Sequence, residues 1–218
     1  MGEAAGTDDG VIEQNPEDSV EARRDSKSGT NGRNLKSVGR IHFVAVVAAL
    51  TLFGAAHTWA QASGWLLATL VGVVAAYVAG TVIAAIAHEW GHYSGARLGG
   101  SRLKVAKQPI RYFFMFTFDM QANSPRQAIW MSWGGLLGSW GLLAVLALGV
   151  PLDSLVSVVL LATVFASALN ASIFEIPVIL RTGRSGAFET ELNAQLESPG
   201  VMQFPGLAAG LAMVVALA

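Results

Sequence analysis

The chain of 218 residues contains no cysteine. It can form neither a disulfide framework nor a thiolate metal site, so any metal must be held by His, Asp or Glu. Charge is also scarce. Asp, Glu, Lys and Arg make up 13% of the residues and hydrophobic side chains 53%, whereas a soluble domain carries about a quarter of its residues as charged side chains. From Ile41 to Ala87 no charged side chain occurs at all, a run long enough for two membrane crossings of roughly 20 residues each. The expected solvent is the lipid bilayer. A formal charge of −1 offers no basic excess to a polyanion, so nucleic acid is not an expected partner.

What charge there is sits in the connections. Residues 1 to 40 are rich in Gly, Ser, Asn, Asp, Glu and Arg, and such a composition buries too little apolar surface to offset the entropy of ordering. A disordered cytoplasmic tail is expected there, too long and polar to begin a cleavable signal peptide. Apolar runs then predict an all-α multi-pass membrane protein of about five transmembrane helices, at 41–58, 64–91, 127–150, 154–180 and 204–218. Between 101 and 121 the helical pattern lapses. The aromatic-rich run from Arg111 to Met120 favours extended chain, and predicts a small membrane-associated β-hairpin or sheet edge.

All fourteen Lys and Arg residues fall in the tail, in the 97–111 loop, at Arg126, or at Arg181 and Arg184. Placing the N-terminus in the cytoplasm puts every one of them on the side that basic loops favour. The opposite loops, around 57–63 and 151–153, contain none. Abundant Ala, Gly, Val and Arg suggest a bacterial origin, and hence a plasma (inner) membrane location.

The run His88-Glu89-Trp90-Gly91-His92 is an H-E-x-x-H motif. On a helix, residues four apart share a face, so both imidazoles can reach one metal ion with Glu89 close by. Zinc suits neutral imidazole and keeps a position open for water, whose pKa it lowers to roughly 7. Glu89 would take the proton as the peptide carbonyl is attacked and return it to the leaving amine. The alternative is polar residues meeting headgroups at a helix end. Ionisable groups following a long apolar helix are costly, which favours the metal site.

His88 to Gly99, reading H-E-W-G-H-Y-S-G-A-R-L-G, resembles the first signature of the site-2 protease family of intramembrane zinc metalloproteases. The aromatic strand region, followed by Ser132 to Gly138, is similar to that family's β-hairpin and G-P-x-x-N helix, with Gly135 at the proline and Gly138 at the asparagine. The resemblance implies hydrolysis of peptide bonds in or near transmembrane segments of a membrane-protein substrate, at a zinc ion near the cytoplasmic face. It also implies a third ligand from a later helix, an Asp in an L-D-G motif that this chain lacks.

The nearest counterpart is the stretch from Asn170 to Pro177, whose only carboxylate is Glu175. Glu175 lies six residues before Arg181, at the depth where the second span delivers His88 and His92. It is the expected third ligand, with an ion pair to Arg181 or Arg184 as the alternative and Asp119 and Glu189 in reserve. Asn170 is a candidate to hydrogen-bond the substrate, the alternative being a link between two helices. Phe116 is a candidate for substrate binding through the strand edge. His42 and His57 receive no role. The glycines at 91, 95, 99, 134, 138 and 141 read as packing positions, and Trp59, Trp65 and Trp130 as interfacial anchors. Two rival functions remain: a silent relative that binds membrane proteins without cutting them, motivated by the missing L-D-G, and a metal transporter.

Overall fold

The computed structural model describes residues 16–109, 113–197 and 200–217. The order is α1 (Pro16–Ser63), α2 (Leu66–Leu98), β1 (Leu103–Val105), β2 (Phe116–Phe118), α3 (Pro125–Gly149), α4 (Leu155–Ser185), α5 (Phe188–Leu196) and α6 (Gly200–Leu217). Four helices among the described residues are long and apolar enough to cross a membrane: Thr30–Ser63 within α1, and α2, α3 and α4. Their outward faces carry Leu67, Val74, Leu137, Val145 and Leu148, all well exposed. Such surfaces are comfortable against acyl chains and a liability in water. The protein is an all-α multi-pass membrane protein with one small β element.

Helix boundaries follow local chemistry. α3 begins with a capping box, in which Ser124 Oγ accepts from Gln127 N–H and Gln127 Oε1 accepts from Ser124 N–H, with Pro125 at the first helical position. Ser154 caps α4, and Gly186 ends it at a left-handed φ of 70° that favours glycine. Ser154 Oγ also lies 2.9 Å from His57 Nε2, so His57 fastens α1 to the start of α4.

α2 is the central helix and packs on α1, α3 and α4. Alanines and glycines line its buried face, and Ala68, Ala76, Ala79 and Ile83 meet Val156, Leu160 and Val164 of α4 in the core. α2 and α3 approach backbone to backbone: a Cβ on Gly95 would strike Trp130 O, and one on Gly134 would strike Gly91 O. Small residues permit this approach, and helices in lipid associate by such packing. Gly141 differs from the expectation, since nothing lies near it.

The structure bears on two further expectations. The tail expected to be disordered through residue 40 is helical from Pro16, with residues 1–15 outside the described region. Its ordering is non-local, because Val38 is fully buried and Asn31 and Asn34 bond to the hairpin. The fifth apolar run forms α6, whose apolar part Phe204–Leu217 is shorter than the four spanning helices and packs on α4. α5 was not anticipated.

The hairpin pairs Leu103 with Phe118, Lys104 with Thr117 and Val105 with Phe116, antiparallel. Ala106 N–H donates to Met115 O at 2.9 Å, so the main-chain groups of Leu103 and Val105, and of Phe116 and Phe118, point away from the shared ladder. On the β1 side the Asn31 amide bridges Leu103 O and Val105 N–H, and Asn34 donates to Val105 O. α1 thereby seals one edge of the sheet with side chains.

Candidate metal centre

His88 and His92 lie one turn apart on α2, and Glu175 reaches them from α4. His88 Nε2 and His92 Nε2 are 3.0 Å apart, and Glu175 Oε1 is 3.0 Å from the first and 3.2 Å from the second. Among the described residues this is the one group of three His or carboxylate side chains whose ligand atoms converge so closely. A small divalent ion bound tetrahedrally at about 2.0–2.1 Å sets its ligand atoms roughly 3.3 Å apart. The triangle has the size that one ion requires.

The second nitrogen of each ring decides what the converging atoms are. His92 Nδ1 lies 2.9 Å from Met131 O, and His88 Nδ1 lies 3.1 Å from Gly135 O and 2.9 Å from Ser139 Oγ. A carbonyl oxygen only accepts, so both Nδ1 atoms carry hydrogen. In the neutral rings each Nε2 then presents a lone pair, and two lone pairs and a carboxylate oxygen meet at one point. Such a cluster is satisfied by a metal ion at its centre or by a proton shared between an imidazole and the carboxylate. Glu175 is buried, and its Oε2 has no hydrogen-bond partner among the described residues. These three residues could hold a metal ion.

No family model matches the chain, and no curated protein or solved structure matches it either. The chemistry of the centre therefore rests on its own geometry.

α3 supplies the frame. Its buried face carries Ala128, Ser132, Gly135, Leu136 and Ser139, and a Cβ on Gly135 would fall 2.5 Å from His92 Cε1, inside the ring's space. Only glycine leaves room for this imidazole. Trp140 Nε1 donates to Ser172 Oγ at 2.9 Å, fixing the rotation of α4 one turn before Glu175. Pro177 lacks an N–H, so the Ile173 carbonyl loses its helical donor close to the carboxylate. Ser139, Ser172 and the Met131 carbonyl were not foreseen, nor was the contact of Gly135 with the His92 ring. The seven-residue spacing from Ser132 to Ser139 across Gly135 was the available signal.

Glu89 is buried beside the triad, and its Oε1 accepts the Met115 N–H at 2.9 Å. Met115 is itself fully buried, so the chain just before β2 packs against Glu89. Behind it His42, also buried, accepts from Trp90 Nε1 at 3.1 Å and meets the Phe113 ring edge-on at a centroid distance of 5.7 Å. Phe113 holds φ at 68°, an unusual value for a bulky residue.

The other expected residues lie elsewhere. Asn170 Oδ1 accepts Gly206 N–H at 3.0 Å and joins α4 to α6, the helix-linking alternative for this residue. Five residues before Glu175, it points roughly 140° away on the helix. Phe116 sits in β2 with its ring 6.0 Å from Tyr93. Asp119 Oδ1 accepts from Gln121 and Ala122 N–H, and Glu189 lies in the first turn of α5. Arg181 pairs with Glu191 and bonds to Gln195, so it is not the partner of Glu175.

Proposed function

We propose that the chain is an intramembrane zinc metalloprotease that hydrolyses peptide bonds in or near the transmembrane segments of other membrane proteins. The observation that carries this reading is the convergence of His88, His92 and Glu175 on one point, with a second buried carboxylate, Glu89, one residue from His88. Two imidazoles and a carboxylate form a ligand set that zinc favours, with a position left open. Bound there, zinc would supply Lewis acidity and make water a stronger acid. The resemblance of the His88 to Gly99 segment to site-2 proteases supports the same reading.

Each residue then has a task. His88 and His92 would hold the metal through Nε2, their Nδ1–H groups locking the rings against α3. Glu175 would complete the ligand set and neutralise charge. Glu89 takes a proton from the attacking water as its oxygen bonds the peptide carbon, and returns it to the amine as the carbon–nitrogen bond breaks. The Met115 N–H steers that carboxylate.

The substrate must present extended chain, because a helical carbonyl is already engaged. With Asn31 and Asn34 on the β1 edge, the outward groups of Phe116 and Phe118 on β2 are the edge to which a substrate strand would add. The basic loops favour a cytoplasmic N-terminus in a bacterial inner membrane, with the centre near the cytoplasmic face.

Glu89→Gln tests the reading. The purified variant should keep its metal and lose cleavage of a membrane-protein substrate by roughly 10²- to 10⁴-fold. Undiminished cleavage would remove Glu89 from the reaction, whereas a parent chain that does not cleave and a variant that keeps its binding or metal transport would favour a binding module or a transporter.

A further inference from the structure

A cavity of about 900 Å³ lies between α1, the end of α2 and the hairpin. Its size falls within the range of about 300–1,000 Å³ typical of small-molecule sites. Its walls are held in place. Asn31 and Asn34 bond to β1, and the Asn123 side chain clamps Arg102 through both its N–H, at 2.6 Å, and its C=O, at 2.9 Å.

Three cations line it, Arg97, Arg102 and Lys104, and none forms an ion pair among the described residues. Asp119, the one carboxylate in the lining, has Oδ1 committed to the N–H groups of Gln121 at 3.0 Å and Ala122 at 3.2 Å. Ser101 belongs to the wall behind these cations. It is only 6% exposed, and its hydroxyl is buried with no partner. Three exposed cations around one carboxylate make a site for an anion with several acceptor oxygens. A phosphate matches guanidinium and ammonium donors.

Location narrows the source. α2 ends at Leu98, which is 80% exposed, and the polar loop begins at Gly99. The cavity therefore sits where the apolar bundle meets the polar connections, the level of phospholipid headgroups. Basic pockets between helices at that level take anionic headgroups. We propose that this cavity binds the phosphate of an anionic phospholipid. The bound lipid braces the hairpin whose Met115 N–H holds Glu89. The site stands whether or not the protein is a hydrolase.

Amide hydrogen exchange of segments 101–106 and 115–122 tests it, with the full chain in phosphatidylcholine vesicles with and without phosphatidylglycerol. Phosphatidylglycerol should slow exchange roughly tenfold. Arg102→Gln with Lys104→Gln should abolish the effect, whereas Lys107→Gln with Arg126→Gln, an equal charge loss outside the lining, should leave it. Exchange that is equal in both lipids, or lost equally in both variants, overturns the site. Full protection by millimolar inorganic phosphate in phosphatidylcholine alone overturns the lipid as source and assigns the cavity to free phosphate.

Discussion

The main-chain N–H of Met115 donates to Glu89 Oε1 at 2.9 Å, joining the hairpin to the helix that carries both histidines. It is a hydrogen bond to a buried carboxylate, so it belongs to the stronger class, worth roughly 1.5–3 kcal/mol. The Met115 amide should exchange slowly with solvent although it lies just before β2. In Glu89→Ala that protection should fall about 10- to 100-fold, while the core of α2 stays protected. Site-resolved hydrogen exchange reads both, and unchanged protection at Met115 would show that the bond does not form.

Gly135→Ala places a methyl group in the space of the His92 ring. The imidazole must move, and metal affinity should fall at least tenfold. Ser139→Ala removes one partner of His88 Nδ1 but leaves Gly135 O, so its loss should stay near tenfold, the low end for such supporting contacts. Competition with a chelator of known affinity measures both.

How much of this was legible depended on whether the signal was local. The H-E-x-x-H spacing on a helix needs only five residues, and His88 and His92 converge as that spacing requires. Glu175 was reachable because alternating spans bring the end of α4 to the depth of the end of α2. The Asn31 and Asn34 contacts could not be read in this way, since they join residues more than 70 positions apart, and composition alone made residues 16–40 look like a tail. α5 hides for a related reason: it carries no long apolar run, and its start is marked only by Glu189 and Glu191 at the favourable end of the helix dipole. The contact of Asn170 with Gly206 was equally out of reach of motif position, because it joins α4 to α6 across 36 residues.

Phe116→Pro removes a main-chain donor from the outward edge of β2 and none from the ladder with β1. Cleavage should fall while metal content and the Ala106 to Met115 hydrogen bond persist. A steady-state assay paired with metal analysis checks it, and full turnover would remove the edge from substrate recognition.

Asn170→Ala breaks the bond to Gly206 and should lower stability by about 1 kcal/mol. The rate per bound metal should not change. A shifted denaturation midpoint with unaltered kcat and KM is the expected pattern; a raised KM would return Asn170 to the substrate.

Metal content, measured by mass spectrometry of the purified chain together with X-ray absorption, bears most directly on the centre. One zinc per chain is expected, with two imidazoles and carboxylate oxygen at about 2.0–2.2 Å, and with occupancy lost in both His92→Ala and Glu175→Ala. A chain that purifies without metal and takes up none, or a Glu175→Ala variant that binds zinc as tightly as the parent, would contradict the account.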